Sequence, residues 1–168
     1  MMSTTHFIDV SYEEDAYRND ADELMVLTIL HQTLDLLGQE SCEFSVSFVS
    51  DATMQDLNRE YRDKDEPTDI LSFAQQDEVE DFSWPEVQYE GEESLPVEVE
   101  VLGDMVISLD TLKRNALSFS VEEEEELTRL LIHGLLHLLG EDHESNEAQE
   151  PMLVKQEQLL HQVRGSKR

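Results

Sequence analysis

The stretch Leu130-Leu131-Ile132-His133-Gly134-Leu135-Leu136-His137-Leu138-Leu139-Gly140-Glu141-Asp142-His143 decides how this chain is read. His133 and His137 are four residues apart, so on a helix they stand one turn above each other on the same face. From Leu127 to Leu139 the segment is apolar nearly all round, which predicts a helix buried inside the domain rather than laid on its surface. Gly140 can adopt the left-handed conformation that ends a helix. The chain can then double back and bring His143 towards the other two imidazoles. Three neutral imidazoles converging from a rigid helix and the turn behind it make a tridentate site for Zn²⁺ or another divalent metal, with a fourth position open to water. One ion per chain is expected, held by His133, His137 and His143. Asp142, beside the third histidine, is placed to orient a ligand from outside the coordination sphere.

The same spacing raises a rival chemistry. Zinc proteases of the metzincin type carry H-E-x-x-H-x-x-G-x-x-H, and this chain departs from that pattern at one position, where Gly134 replaces the glutamate. That glutamate is the general base for the metal-bound water of those proteases. The spacing therefore preserves the metal geometry and removes the base, which argues against peptide hydrolysis by that route.

Two further stretches, together with the first, carry a family resemblance. His133 to His143, H-G-L-L-H-L-L-G-E-D-H, resembles the signature of the YbeY family, bacterial rRNA maturation factors described as metal-dependent endoribonucleases. Leu57 to Phe73, L-N-R-E-Y-R-D-K-D-E-P-T-D-I-L-S-F, is similar to that family's other hallmark, and L-G-D-M-V-I from Leu102 to Ile107 is similar to its strand before the long helices. The resemblance runs from about Asp51 to the last helix in the family's order. Glu141 stands where the family usually has tyrosine, and Ala74 where proline commonly follows the phenylalanine; neither is an expected ligand. The resemblance implies cleavage of single-stranded RNA in 16S rRNA 3′-end maturation and ribosome quality control, with rRNA and the ribosome or its small subunit as partners. It also implies a catalytic role for Arg62, whose guanidinium fork suits two phosphate oxygens. Taken from the residues alone, Arg62 at a helix end is equally a capping or ion-pairing residue.

The charge balance pulls the other way. Forty acids against eleven bases give a net charge of −29, which repels nucleic acid on average. Ten of the acids lie between Asp77 and Glu100, a stretch without lysine or arginine. Arg59, Arg62 and Lys64 cluster before Pro67, and Arg164, Lys167 and Arg168 lie at the end, so a basic spot on an acidic body is compatible with the composition. Met1 to Val10 lacks the basic start and apolar run of a signal peptide, and no apolar stretch approaches the ~20 residues that span a bilayer. The single cysteine, Cys42, has no intrachain partner and no metal-type spacing. A cytoplasmic protein is expected, with no membrane or DNA partner.

Along the chain, Phe7 to Val10 reads as a short strand. Asp20 with Glu23 resembles a capping box, and Leu24, Leu27, His31, Leu34 and Leu37 mark one helical face ending at Gly38. From Glu43 to Val49 apolar residues alternate with serine, the pattern of a strand with one buried face. Ser50 or Asp51 then caps a helix to about Arg62, and the polar loop 63–69 feeds a strand from Ile70 to Ala74. The acidic insert at about 76–98 is longer than an ordinary connection and is expected to be a solvated loop rather than a lid. Val99 to Ser108 returns as a strand and Leu109 to Phe119 as a short helix. Ser120, with Glu123 three residues on, is expected to cap the histidine helix, whose acidic start at Glu122 to Glu126 complements the helix dipole. A last helix runs from Pro151 towards Arg164.

This order predicts an α/β fold in which residues 1–168 form a single domain. A small mixed four-stranded sheet packs against about five helices. The first crossover should be a parallel unit, and the strands flanking the acidic insert an antiparallel pair. The expected activity is that of a metal-dependent hydrolase acting on RNA. A zinc metallo-peptidase or amide hydrolase, and a non-catalytic ribosome-assembly factor, are the competing readings.

Overall fold

The computed structural model describes residues 5–75, 99–143, 145, 147 and 149–165. Four strands and five α-helices are present among them: β1 Phe7–Tyr12, α1 Glu23–Leu37, β2 Cys42–Val49, α2 Asp51–Arg62, β3 Ile70–Ala74, β4 Glu100–Ser108, α3 Leu109–Phe119, α4 Glu123–Leu138 and α5 Pro151–Gly165. The strands form one sheet in the order β1-β2-β4-β3. β1, β2 and β4 are parallel, and β3 lies antiparallel on β4. This is the mixed sheet that the sequence predicts. The acidic insert at 76–98 lies outside the described residues.

Alternation decides which face of the sheet is covered. Cys42, Phe44, Val46 and Phe48 of β2 point into the core, whereas Glu43, Ser45 and Ser47 do not. β1 continues past the expected Val10 to Tyr12, whose ring stacks on Phe48 at 5.4 Å and whose hydroxyl donates to the Ala21 carbonyl. β3 approaches β4 so closely at Gly103 that an added Cβ would sit 2.1 Å from the Phe73 carbonyl oxygen. With φ of 134°, that position requires glycine.

α4 is the centre of the domain. It touches α1, α3, α5, β3 and β4, and Leu131, Ile132, Leu135 and Leu136 are fully buried. Each such side chain contributes roughly 2 kcal/mol of burial, so this helix is held by its surroundings on every side. Its acidic start does more than complement a dipole. Glu126 is itself buried and pairs with Arg129 at 2.9 Å, and Glu125 pairs with the same guanidinium at 3.2 Å.

Two expected caps and one expected face are corrected. Asp22, not Asp20, caps α1 by accepting from the Met25 amide, while Asp20 pairs with Lys113 at 2.9 Å. Ser120 does not cap α4: it ends α3 in the left-handed conformation with φ of 57°, and α4 starts after Glu122 without a side-chain cap. The buried face of α1 is Val26, Ile29, Leu30, Thr33 and Leu34, whereas Leu24 is 73% exposed and His31 is exposed. So many residues between Leu24 and Leu30 are apolar that more than one stripe satisfies helical spacing. Docking on α4 and α5 selects among them.

Candidate metal centre

His133 and His137 project from the last two turns of α4. The helix ends as expected, with Gly140 at φ of 98°, the Gly140 amide donating to the His137 carbonyl and the Glu141 amide to that of Leu136. That reversal carries His143 back over the helix end. The three ring centroids are 4.6 Å apart for His133–His137, 5.4 Å for His133–His143 and 5.5 Å for His137–His143. One nitrogen from each ring lies within 4.8 Å of the others, and the three form a group able to hold a metal ion.

The donor chemistry fits such an ion. The Nε2 atoms of His133 and His137 face each other at 3.1 Å. Two imidazole nitrogens bound tetrahedrally at about 2.05 Å lie roughly 3.3 Å apart, so the pair is already near the separation a shared cation needs. The opposite nitrogens are occupied from outside. His133 Nδ1 is 2.6 Å from Gln156 Oε1, and His143 Nδ1 is 2.8 Å from the Ser145 carbonyl. Carbonyl oxygens only accept, so these two rings carry their proton on Nδ1 and turn the Nε2 lone pair inward. Asp142 Oδ1 is 3.9 Å from His137 Nδ1, beyond hydrogen-bond reach, and accepts instead from the His143 amide at 2.8 Å. Burial lowers the pKa of both His133 and His137, which favours the neutral form that ligates.

The cluster opens on a cleft of about 420 Å³ lined by Arg62, Ile70, Ser72, His133, His137 and Asp142, among others. Arg62 is exposed at the end of α2. It donates from Nη2 to the Ser72 carbonyl at 3.0 Å and lies over the Phe73 ring at 5.2 Å. Among the described residues no carboxylate pairs with it, whereas Arg18, Arg59, Arg114, Arg129 and Arg164 each have one within 4.0 Å. The basic spot anticipated around Arg59, Arg62 and Lys64 is thereby narrowed, because Arg59 is neutralised by Asp56 and Asp65. The loop after α2 is tied down by the buried Asn58, which donates to the Glu66 carbonyl at 2.8 Å.

Gly134, where the metzincin pattern has glutamate, faces the sheet. A Cβ there would come within 2.8 Å of Ile70 Cδ1 and 2.9 Å of Met105 Sδ. A glutamate there would have to displace the ends of both side chains, so glycine suits the close approach of α4 to β3 and β4.

The three histidines expected from the sequence are brought together, and Arg62 lines the cleft beside two of them. Sequence reasoning missed Gln156 and Ser145, which hold the rings from outside. Gln156 lies 23 residues from His133, on a helix whose docking onto α4 leaves no local trace in the chain.

Fold and site together define a one-domain α/β protein with an open three-imidazole centre beside a guanidinium that has no carboxylate partner among the described residues. Comparison with known proteins refines this. The family model described as Endoribonuclease YbeY matches residues 7–164. A Treponema denticola protein named Endoribonuclease YbeY is 40% identical over 158 residues, covering 94% of each chain. One of the same name from Lysinibacillus sphaericus is 39% identical over 162 residues, covering 95% of each. The solution structure of a Thermotoga maritima target protein superposes with a TM-score of 0.58 at 25% identity, covering 95% of this chain and 91% of that one. The chain belongs to the YbeY family.

Proposed function

We propose that this chain is a metal-dependent endoribonuclease that cuts single-stranded RNA, with His133, His137 and His143 holding one Zn²⁺ or a similar divalent ion. One observation carries the reading: a guanidinium without a carboxylate partner among the described residues opens on the same cleft as two of the three imidazoles. In a chain of net charge −29, a cation without a carboxylate partner among the described residues, beside a ligand cluster, is suited to an anionic substrate. A divalent ion at the histidines supplies Lewis-acid polarisation of a phosphoryl oxygen and acidifies water. Arg62 supplies the second positive group, offering two parallel N–H donors to the non-bridging oxygens where charge builds. Phe73 and the Ser72 carbonyl hold that fork in place before substrate arrives. Family membership supports RNA as the substrate; we extend this to rRNA, with action at the 3′ end of 16S rRNA, in ribosome quality control and on the small ribosomal subunit in the cytoplasm. Among the described residues no helix is long and apolar enough to cross a membrane.

The test is to incubate labelled single-stranded RNA, and separately casein, with metal-loaded and metal-stripped protein. A His133→Ala preparation purified identically controls for contaminating nuclease. RNA cleavage restored by metal is the expected result. Casein cleavage would install the peptidase reading instead, and neither activity would leave an assembly factor.

A further inference from the structure

Behind the histidines runs a line of side chains whose chemistry leaves one hydrogen-bonding solution. Arg129 donates from Nε and Nη2 to the two oxygens of the Glu157 carboxylate at 2.9 and 3.2 Å, and from Nη1 to Glu126 at 2.9 Å. Glu157 in turn stands 3.0 Å from the amide of Gln156. A carboxylate paired with a guanidinium is ionised, and hydrogen bonds from Arg129 and Gln156 hold the half-exposed Glu157 carboxyl below its usual range. An ionised carboxylate can only accept, so the Gln156 atom facing it is the NH₂ group. The amide cannot flip without setting an oxygen against that carboxylate. Its carbonyl oxygen is therefore aimed at His133 Nδ1, 2.6 Å away.

We propose that Gln156 is a positioning residue for the metal centre, locked by the Arg129–Glu157 pair. It holds His133 as the Nδ1–H tautomer with Nε2 free to ligate. The proposal rests on the reading of the three histidines as a ligand set. Gln156 is itself buried, so no solvent competes for the bond. An imidazole that could rotate or change tautomer would present a proton to the ion in part of the population, and that fraction is subtracted from affinity. Outer partners of ligating histidines typically contribute about 10- to 100-fold in metal affinity.

The experiment has two readouts. The first is the ¹⁵N spectrum of His133 in metal-free protein, which reports which ring nitrogen bears the proton. The wild type should show Nδ1–H, and a predominant Nε2–H form would overturn the proposal without any variant. The second is zinc affinity by competition with a chromogenic chelator. Gln156→Leu should bind zinc about 10- to 100-fold more weakly and populate Nε2–H. Gln156→Glu combined with Glu157→Gln, which keeps an acceptor facing Nδ1 and a donor–acceptor contact between the two neighbouring side chains, should retain the Nδ1–H signature and most of the affinity. Unchanged zinc binding and tautomer in Gln156→Leu would refute the positioning role while leaving the ligand set intact. A wild type that takes up no zinc refutes the ligand set, and the proposal with it.

Discussion

Two clefts meet at His133, and each contains an arginine. The front cleft, about 420 Å³, holds Arg62 with His137 and Asp142. The rear one, about 470 Å³, holds Arg129 with Asp69, Glu126, His143 and Gln156. Arg62 is exposed, with backbone carbonyls as its hydrogen-bond partners among the described residues. Arg129 is mostly buried and satisfied by Glu125, Glu126 and Glu157. Among the described residues, the same residue type is an unpaired cation on one side and a structural clasp on the other. What separates them is the company of carboxylates, since the guanidinium itself is ionised in both places.

The largest effect should come from the histidine cluster that borders both clefts. His137→Ala should lose the ion and RNA cleavage together while keeping its far-UV spectrum. Elemental analysis of untagged wild type should find close to one ion per chain, and wild type that stays metal-free in excess zinc would remove the basis of the comparison.

Next in size is the front arginine. Arg62→Ala should cut RNA ~100-fold more slowly, about 3 kcal/mol of transition-state stabilisation, with metal content and melting temperature nearly unchanged. Arg62→Lys should recover part of the rate, because an ammonium keeps the charge and loses the planar fork. Wild-type cleavage by Arg62→Ala would take this residue out of the active machinery.

The rear arginine should respond in the opposite currency. Arg129→Met leaves Glu126 buried without its partner, at a cost of roughly 2 kcal/mol once partial exposure of the other carboxylates is discounted. In a chain of this size that lowers the melting temperature by about 4–8 °C. If calorimetry found Arg129→Met as stable as wild type and Arg62→Ala destabilised, the two roles would have to be exchanged.

The smallest effect is expected from the acidic insert. Replacing Asp77 to Glu98 with a short Gly/Ser linker removes acids but none of the three histidines. Zinc affinity should not change, and RNA binding at low salt should improve through weaker repulsion. Loss of zinc on this replacement would mean that a carboxylate from the insert belongs to the site.

Much of the molecule was legible because its determinants are local. The i, i+4 pair His133/His137, the turn at Gly140 and the return to His143 are written within eleven consecutive residues, and the structure closes them into one cluster. The alternation in β2 marked its buried face for the same reason, since a strand's period requires no knowledge of its neighbours. The expected antiparallel pair is also observed, between β3 and β4.

What only the tertiary structure decided are the choices that local spacing leaves degenerate. Helical periodicity allowed several buried faces for α1, and docking against α4 and α5 chose Val26, Ile29, Leu30, Thr33 and Leu34. Ser120 could cap the following helix or end the preceding one, and the close succession of α3 and α4 made it the latter. Arg59 and Arg62 are neighbours on one helix, yet Asp56 and Asp65 neutralise the first while the second opens on the cleft. Gln156 meets His133 because α5 lies along α4. Charge pairing and the orientation of a ligand depend on contacts across ångströms of space rather than positions along the chain. They come into being when the helices and sheet are assembled.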